Sequence, residues 1–273
     1  MIYCNSHHQL ANNFFRESVS LIFSKYSNQS IFDIQNSKSY FLYNKDNFLH
    51  KKSTVYEKTV SIPTFFKDNT TKPQIKRFEE FVDWCKKNKN SEDNFLVEHY
   101  NQDGILHTLN FFKKEIINES FLSDKHKKGF FVHMRCGDLA FKKELLVHYD
   151  YFDKAISKAI ADGEGGQGFI CSDIFRIKKT PHKTELEKIQ AEEYWLDIQN
   201  KLIKKYNLEL FDKESAQETI IEASKYRTKI LSTGTFTWLI GFLGSQNVYY
   251  PEPTRYKKWF GGGLFDSPDW ISV

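Results

Sequence analysis

Short apolar segments alternate with longer stretches of helical spacing along nearly the whole chain, and this alternation limits the fold more than any other feature. Strands are expected at 1–4, 129–132, 169–171, 208–211, 230–231 and 247–250. Helices are expected at 15–26, 74–87, 106–122, 149–160, 185–206, 215–226 and 236–244, each with apolar residues three and four apart. Strand followed by helix, repeated, argues for an α/β fold with mainly parallel sheets. The stretches 30–33, 39–43, 53–62 and 94–100 read as short strands or loops, and residues 251–273 as an irregular tail packed back on the body.

Three strands in the second half stop abruptly at polar residues. The first lies in Gly129–Ala140, read GFFVHMRCGDLA: Phe130, Phe131 and Val132 give way at once to His133, Arg135, Gly137 and Asp138. In open α/β sheets ligands bind outside the carboxyl ends of the strands. An arginine there offers five N–H donors in a planar fork that suits phosphate, and a glycine lets the backbone turn where a Cβ would clash. The plainer alternative is a surface arginine after a strand. The second strand, Phe169-Ile170-Cys171, ends at Ser172-Asp173, and the third, Ile230-Leu231, at Ser232-Thr233-Gly234-Thr235 before an apolar helix. Small side chains in that last turn let a phosphate approach the amides of a helix start, although an ordinary tight turn with Ser/Thr capping would look the same. Three such ends meeting at one crevice would suit a phosphate-containing ligand.

Elsewhere the signals are weaker. Near the start a strand, a polar turn and a helix place Asn12 at a helix N-terminus, either as a plain cap or as an anion or sugar contact. The glycines at 163, 165, 166 and 168 lack the G-x-G-x-x-G order and the following helix, and read as a connection.

With 27% charged and 40% hydrophobic residues, the 273-residue chain has the composition of a globular protein. A net charge of +4 is too mild for a nucleic-acid binder and suits a small anionic ligand. Cys4, Cys85, Cys136 and Cys171 form no CxxC pair, so neither a zinc site nor a redox motif is indicated, and free thiols in a reducing compartment are expected. No apolar run is long enough to span a membrane and no signal peptide is visible. The expected compartment is the cytoplasm, with peripheral association at a membrane left open.

These anchors, in order, resemble a known family. His133-Met134-Arg135-Cys136-Gly137-Asp138 resembles the H-x-R-x-G-D signature of fucosyltransferases, especially the α1,2-fucosyltransferases of glycosyltransferase family 11. Gln9-Leu10-Ala11-Asn12-Asn13-Phe14-Phe15 is similar to that family's N-terminal G-L-G-N-Q-M-F motif, with both glycines replaced. Phe169-Ile170-Cys171-Ser172-Asp173 resembles its F-S-D segment, and Ser232-Thr233-Gly234-Thr235-Phe236-Thr237-Trp238 its S-N-S-T-F-S-W-W turn. The usual second arginine of the central motif is Cys136 here.

The resemblance implies a GT-B-like arrangement: two Rossmann-like domains with mainly parallel sheets facing a cleft. The expected division is an acceptor-side domain over 1–124, a nucleotide-sugar-binding domain over 125–250 and the tail over 251–273. It implies inverting, metal-independent glycosyl transfer, with L-fucose moving from GDP-fucose to a hydroxyl of an oligosaccharide or polysaccharide acceptor, and no cofactor beyond that donor. Another GDP- or UDP-hexose, or a non-catalytic nucleotide- or glycan-binding relative, is the alternative.

Arg135, with Ser232, Thr233, Gly234 and Thr235, would meet the diphosphate, and Arg135→Ala is expected to abolish turnover with the fold intact. Asp173 and Glu218 would hold guanine or ribose, and Asn12 would belong to the same binding set. His133 would line the site or be a satisfied core histidine, and Asp138 would fix the loop rather than act as a base. His7, His8 and Glu17 lie near the N-terminal loop, and His8 is the candidate base. Cys136 has no visible activating partner.

Overall fold

A computed structural model of the chain describes residues 2–4, 10–32, 38–44, 50–51, 59–61, 74–97, 113–122, 127–142, 147–212, 215–244, 247–252 and 270–273. Two compact units divide between Leu122 and Ser123. Each is built on a parallel sheet, and the fold class is α/β with two Rossmann-like units.

The first unit carries β1 (Ile2–Cys4), β2 (Ile31–Phe32), β3 (His50–Lys51), β4 (Thr59–Ser61) and β5 (Asn94–Val97), in the order β3-β2-β1-β5-β4. It carries the helices α1 (Leu10–Ser27) and α2 (Gln74–Lys87), and residues 113–116 are also helical. Phe81, Val82 and Cys85 give α2 its buried face, and Phe23, Trp84 and Phe95 pack ring against ring between the helices and β5.

The apolar stripe expected of α1 understates its burial, because Asn13, Arg16, Glu17, Ser18, Ser20, Ser24 and Ser27 are buried too. Ser18, Ser20 and Ser27 donate to the carbonyls four residues back, so a hydroxyl can enter the core with its donor satisfied. Glu17 accepts from the hydroxyls of Ser39 and Tyr43. It is thereby a buried structural group rather than a base open to an acceptor. The helix closes at Asn28, whose φ of 58° is left-handed.

Residues 40–42, read as a short strand or loop, form a 3₁₀ turn. One expected element of this unit differs. The helix expected over 106–122 does not reach its end. Ile117 bridges Tyr43, and Glu119–Phe121 is a 3₁₀ turn begun by the Asn118 side chain, which accepts from the Ser120 amide at 3.0 Å. An asparagine that captures a local amide in this way competes with helix continuation. His7, His8, Gln9, the loop at 63–72, and Arg255 and Trp259 of the tail lie outside the described residues.

The second unit holds the longest strand among the described residues, β6 (Lys127–Met134), buried from Gly129 onward as a central parallel strand must be. With β7 (Gly168–Ser172), β8 (Glu209–Leu210), β9 (Tyr226–Leu231), β10 (Asn247–Tyr250) and β11 (Trp270–Ser272), it forms a six-stranded sheet in the order β11-β10-β9-β6-β7-β8. All of its pairings are parallel. Its helices are α3 (Tyr149–Ala161), α4 (Glu185–Tyr206), α5 (Ala216–Ala223) and α6 (Thr235–Phe242). Thr184 and Glu187 form a capping box that starts α4 where the sequence placed it, and Asn207 in the left-handed region ends it.

Two boundaries move. The helix expected to reach residue 226 stops at Ala223, because Tyr226 already pairs with β6. The tail expected to be irregular ends in β11, which pairs with β10 in register from Val248–Trp270 to Tyr250–Ser272. Among the described residues no helix is long and apolar enough to cross a membrane.

Candidate functional site

The strand order of the second sheet reverses at one place. From β6 the chain moves outward to β7 and β8. It then returns to the other side of β6 for β9, and moves outward again to β10 and β11. The carboxyl ends of β6 and β9 therefore flank a topological switch point, where open α/β sheets leave a crevice. His133 pairs with Leu231 across this junction, so Arg135 and the turn that starts at Ser232 emerge side by side.

The two are joined directly. The Ser232 amide donates to the His133 carbonyl at 3.1 Å, and the Arg135 amide donates to Ser232 Oγ at 2.7 Å. Gly234 is the N-cap of α6, with φ 107° and ψ 159°, a conformation suited to glycine. It contributes no side-chain cap, and no acidic residue occupies the first turn of α6. The positive end of that helix is thus left without a negative side chain of its own. Thr233 is buried, while Gly234 and Thr235 are half-buried.

The Arg135 side chain is 14% exposed and held between two carboxylates. Nη1 donates to Asp173 Oδ2 at 2.5 Å, and Nη2 to Asp138 Oδ1 at 2.8 Å. The other oxygen of Asp173 accepts from the Cys136 amide, also at 2.5 Å. Asp173 is 11% exposed in its side chain and has both oxygens engaged inside the loop. Asp138, at 52%, faces solvent. Gly137 sits at φ 36°, and a Cβ there would come within 2.9 Å of Asp173 Oδ2. A side chain at 137 would therefore press on the carboxylate that steers the arginine.

His133 lies beneath this loop, 2% exposed. Its Nδ1 is 2.9 Å from Thr237 Oγ1, and the Thr237 hydroxyl donates its one proton to the Thr233 carbonyl at 3.0 Å. Nδ1 is therefore the donor, and the ring is a neutral strut between β6 and α6. Burial, then the charges of Arg135 and Arg176, push its pKa down to about 3. Cys136 and Cys171 are buried beside it. Burial pushes Cys136 well up and Cys171 up to about 12, so neither supplies a ready thiolate.

The remaining candidates belong to other elements or lie outside the described residues. Glu218 is exposed in the first turn of α5, and no contact joins it to Arg135, Asp138 or Ser232 among the described residues. Its neighbour Thr219 meets Cys171 Sγ at 3.9 Å. Asn12 belongs to the first turn of α1 in the first unit, with its side chain outside the described part. His8 is likewise outside it. No group of three His, Cys, Asp or Glu side chains among the described residues could hold a metal ion.

Two groups escaped the sequence reading. Tyr151 of α3 donates to the Leu231 carbonyl at 2.5 Å and reaches that of Tyr249 at 3.2 Å, tying the ends of β9 and β10 together. Arg176 lies in the 3₁₀ turn Ile174–Lys179 that follows β7. Its place three residues after Asp173 was the available signal.

No family model and no curated protein matches the chain. Among solved structures, a crystal structure of POFUT1 in complex with GDP is similar at 11% identity, covering 99% of this chain and 96% of that chain, with a TM-score of 0.48. A second crystal form of the same complex is similar at 10% identity, covering 100% and 97%, with a TM-score of 0.44. The fold class rests on the two parallel sheets themselves.

Proposed function

We propose that the protein is an inverting, metal-independent glycosyltransferase. In this reading the second unit binds a nucleotide sugar, GDP-fucose foremost, and the first unit serves a glycan acceptor. One observation carries the reading: the hydrogen bond from the Arg135 amide to Ser232 at the switch point, which sets the arginine backbone beside a hydroxyl-lined turn and a helix start with no side-chain cap, with Arg135 Cγ 3.9 Å from the point a Cβ of residue 234 would occupy. The ordered motifs that resemble those of fucosyltransferases point the same way.

The chemistry required is modest. The acceptor hydroxyl oxygen bonds to the sugar's anomeric carbon and gives up its proton to solvent as the bond to the diphosphate breaks, and negative charge grows on the leaving group. Arg135 has N–H donors beyond the two used by Asp138 and Asp173. These, the Ser232–Thr235 turn and the positive end of α6 are fixed before the reaction, and fixed donors of this kind contribute a few kcal/mol each. Asp173 orients the fork, and His133, held neutral, keeps α6 at its distance from β6.

The test is a thermal-shift panel of GDP, UDP, CMP and ADP, followed by release of fucose from GDP-fucose. GDP at a hundredfold excess over Kd stabilises by about 2.7 kcal/mol. Arg135→Lys keeps a charge between the two carboxylates but loses the planar fork, and turnover is expected to fall about a hundredfold or more. Absence of stabilisation by every nucleotide, or full turnover in Arg135→Lys, overturns the proposal.

A further inference from the structure

The charge around Arg135 does not balance in favour of a diphosphate. One guanidinium stands between two carboxylates, so the trio is net negative before any ligand arrives. A diphosphate adds at least two more negative charges, and like charges at close range disfavour binding. A further cation is needed, and it must come from an element at the same edge of the sheet.

Arg176 meets that requirement. Its turn follows β7, the neighbour of β6 on the side away from β9. Its amide donates to the Asp173 carbonyl at 2.9 Å, and its Cβ lies 3.6 Å from the point a Cβ of residue 137 would occupy. The turn therefore packs directly on the Arg135 loop. Arg176 is half-buried, and its guanidinium sits 5.8 Å from the Phe175 ring centre. Among the described residues it forms no ion pair, whereas Arg135 forms two. Its charge reaches His133, whose proton affinity it lowers after burial and Arg135. Three adjacent strand ends thus contribute in turn: β9 the hydroxyl turn, β6 the tethered arginine, β7 an untethered one.

We propose that Arg176 is the second anion-binding side chain of this site, supplying the charge that Arg135 cannot offer while Asp138 and Asp173 hold it. The inference rests on the proposed binding of a nucleoside diphosphate and names a residue for it. Because each added phosphate raises the need for this cation, Arg176 would also favour diphosphate over monophosphate.

The experiment is calorimetric titration of the wild-type chain, Arg176→Gln and Arg176→Lys with GDP and with GMP, with the melting temperature of each nucleotide-free protein measured alongside. Arg176→Gln is expected to weaken GDP on the order of tenfold, the size of one charge-assisted hydrogen bond, and GMP by about threefold or less. Arg176→Lys, which keeps the charge, is expected to hold GDP within about threefold of wild type. Neither changes the nucleotide-free melting temperature, because the side chain anchors no ion pair among the described residues. GDP affinity unchanged in Arg176→Gln, with the wild type binding GDP, overturns the role of Arg176 and leaves the proposed function standing. A wild-type chain that binds no GDP overturns both.

Discussion

The ion pair between Arg135 and Asp173 makes a stability claim that can be measured without any ligand. Both side chains are nearly buried, at 14% and 11%, and Asp173 also holds the Cys136 amide. Removing one partner of a buried pair leaves the other charged and unmatched, at a cost of about 3–5 kcal/mol when burial is complete. The residual exposure lets water reach each group, and Arg135 keeps the solvent-facing Asp138 when Asp173 is removed, so a figure of about 2–3 kcal/mol for Arg135→Gln or Asp173→Asn alone is appropriate. The double variant removes both charges together and should cost about 3 kcal/mol, well below the sum of the singles. The coupling is then about 2 kcal/mol. Urea denaturation followed by circular dichroism reads it, and each single variant should melt some 5–10 °C below wild type. Additivity within about 0.5 kcal/mol would refute the reasoning. The expectation that Arg135→Ala leaves the fold intact has to be revised accordingly. That variant strands Asp173, and its loss of turnover is interpretable only beside its denaturation curve or in an Asp173→Asn background.

Acid should weaken the second unit through His133. The native ring binds protons more weakly than the unfolded one, so its neutral burial costs nothing above about pH 6.5 and progressively more as pH falls towards 3. The slope amounts to roughly 1.4 kcal/mol per pH unit inside that window. In His133→Asn, whose amide can still donate to Thr237, the slope flattens by about one proton, and a slope identical to wild type would show that His133 is not held neutral. Cys136 and Cys171 should resist alkylation in the native protein at pH 8 and react on unfolding. Mass spectrometry after a timed iodoacetamide pulse checks this, with rapid native labelling at either position as the contrary result.

The parts of this architecture that local physics dictates were legible in the sequence. Phe130, Phe131 and Val132 could only be a buried strand. Thr184 and Glu187 announce the start of α4, and the polar stops at Arg135, Asp173 and Ser232 mark strand ends that the sheet order then gathers. What was not legible depends on partners distant in sequence. The buried serines and Glu17 of α1 look solvent-facing by periodicity, and only their hydroxyl and carbonyl partners admit them to the core. Nothing near Asp173 in the chain reveals that Arg135 and Cys136, almost forty positions earlier, each donate to one of its oxygens. Tyr226 read as the end of a helix until pairing with β6 drew it into a strand. Trp270–Ser272 is too short for its alternation to be recognised.

The central position of β6 also governs the order in which the protein can be made. Its partner β9 lies almost a hundred residues downstream, and that gap must close before the sheet is continuous. A nascent chain that pauses ahead of residue 226 displays β6 with one long apolar edge bare, a template for pairing with any neighbouring polypeptide. Arrival of β9 covers that edge and, in the same event, delivers Ser232 to the Arg135 amide. Completion of the sheet and formation of the Arg135–Ser232 junction are therefore one step of biogenesis, and a chain truncated between them would lack that junction and be prone to aggregate.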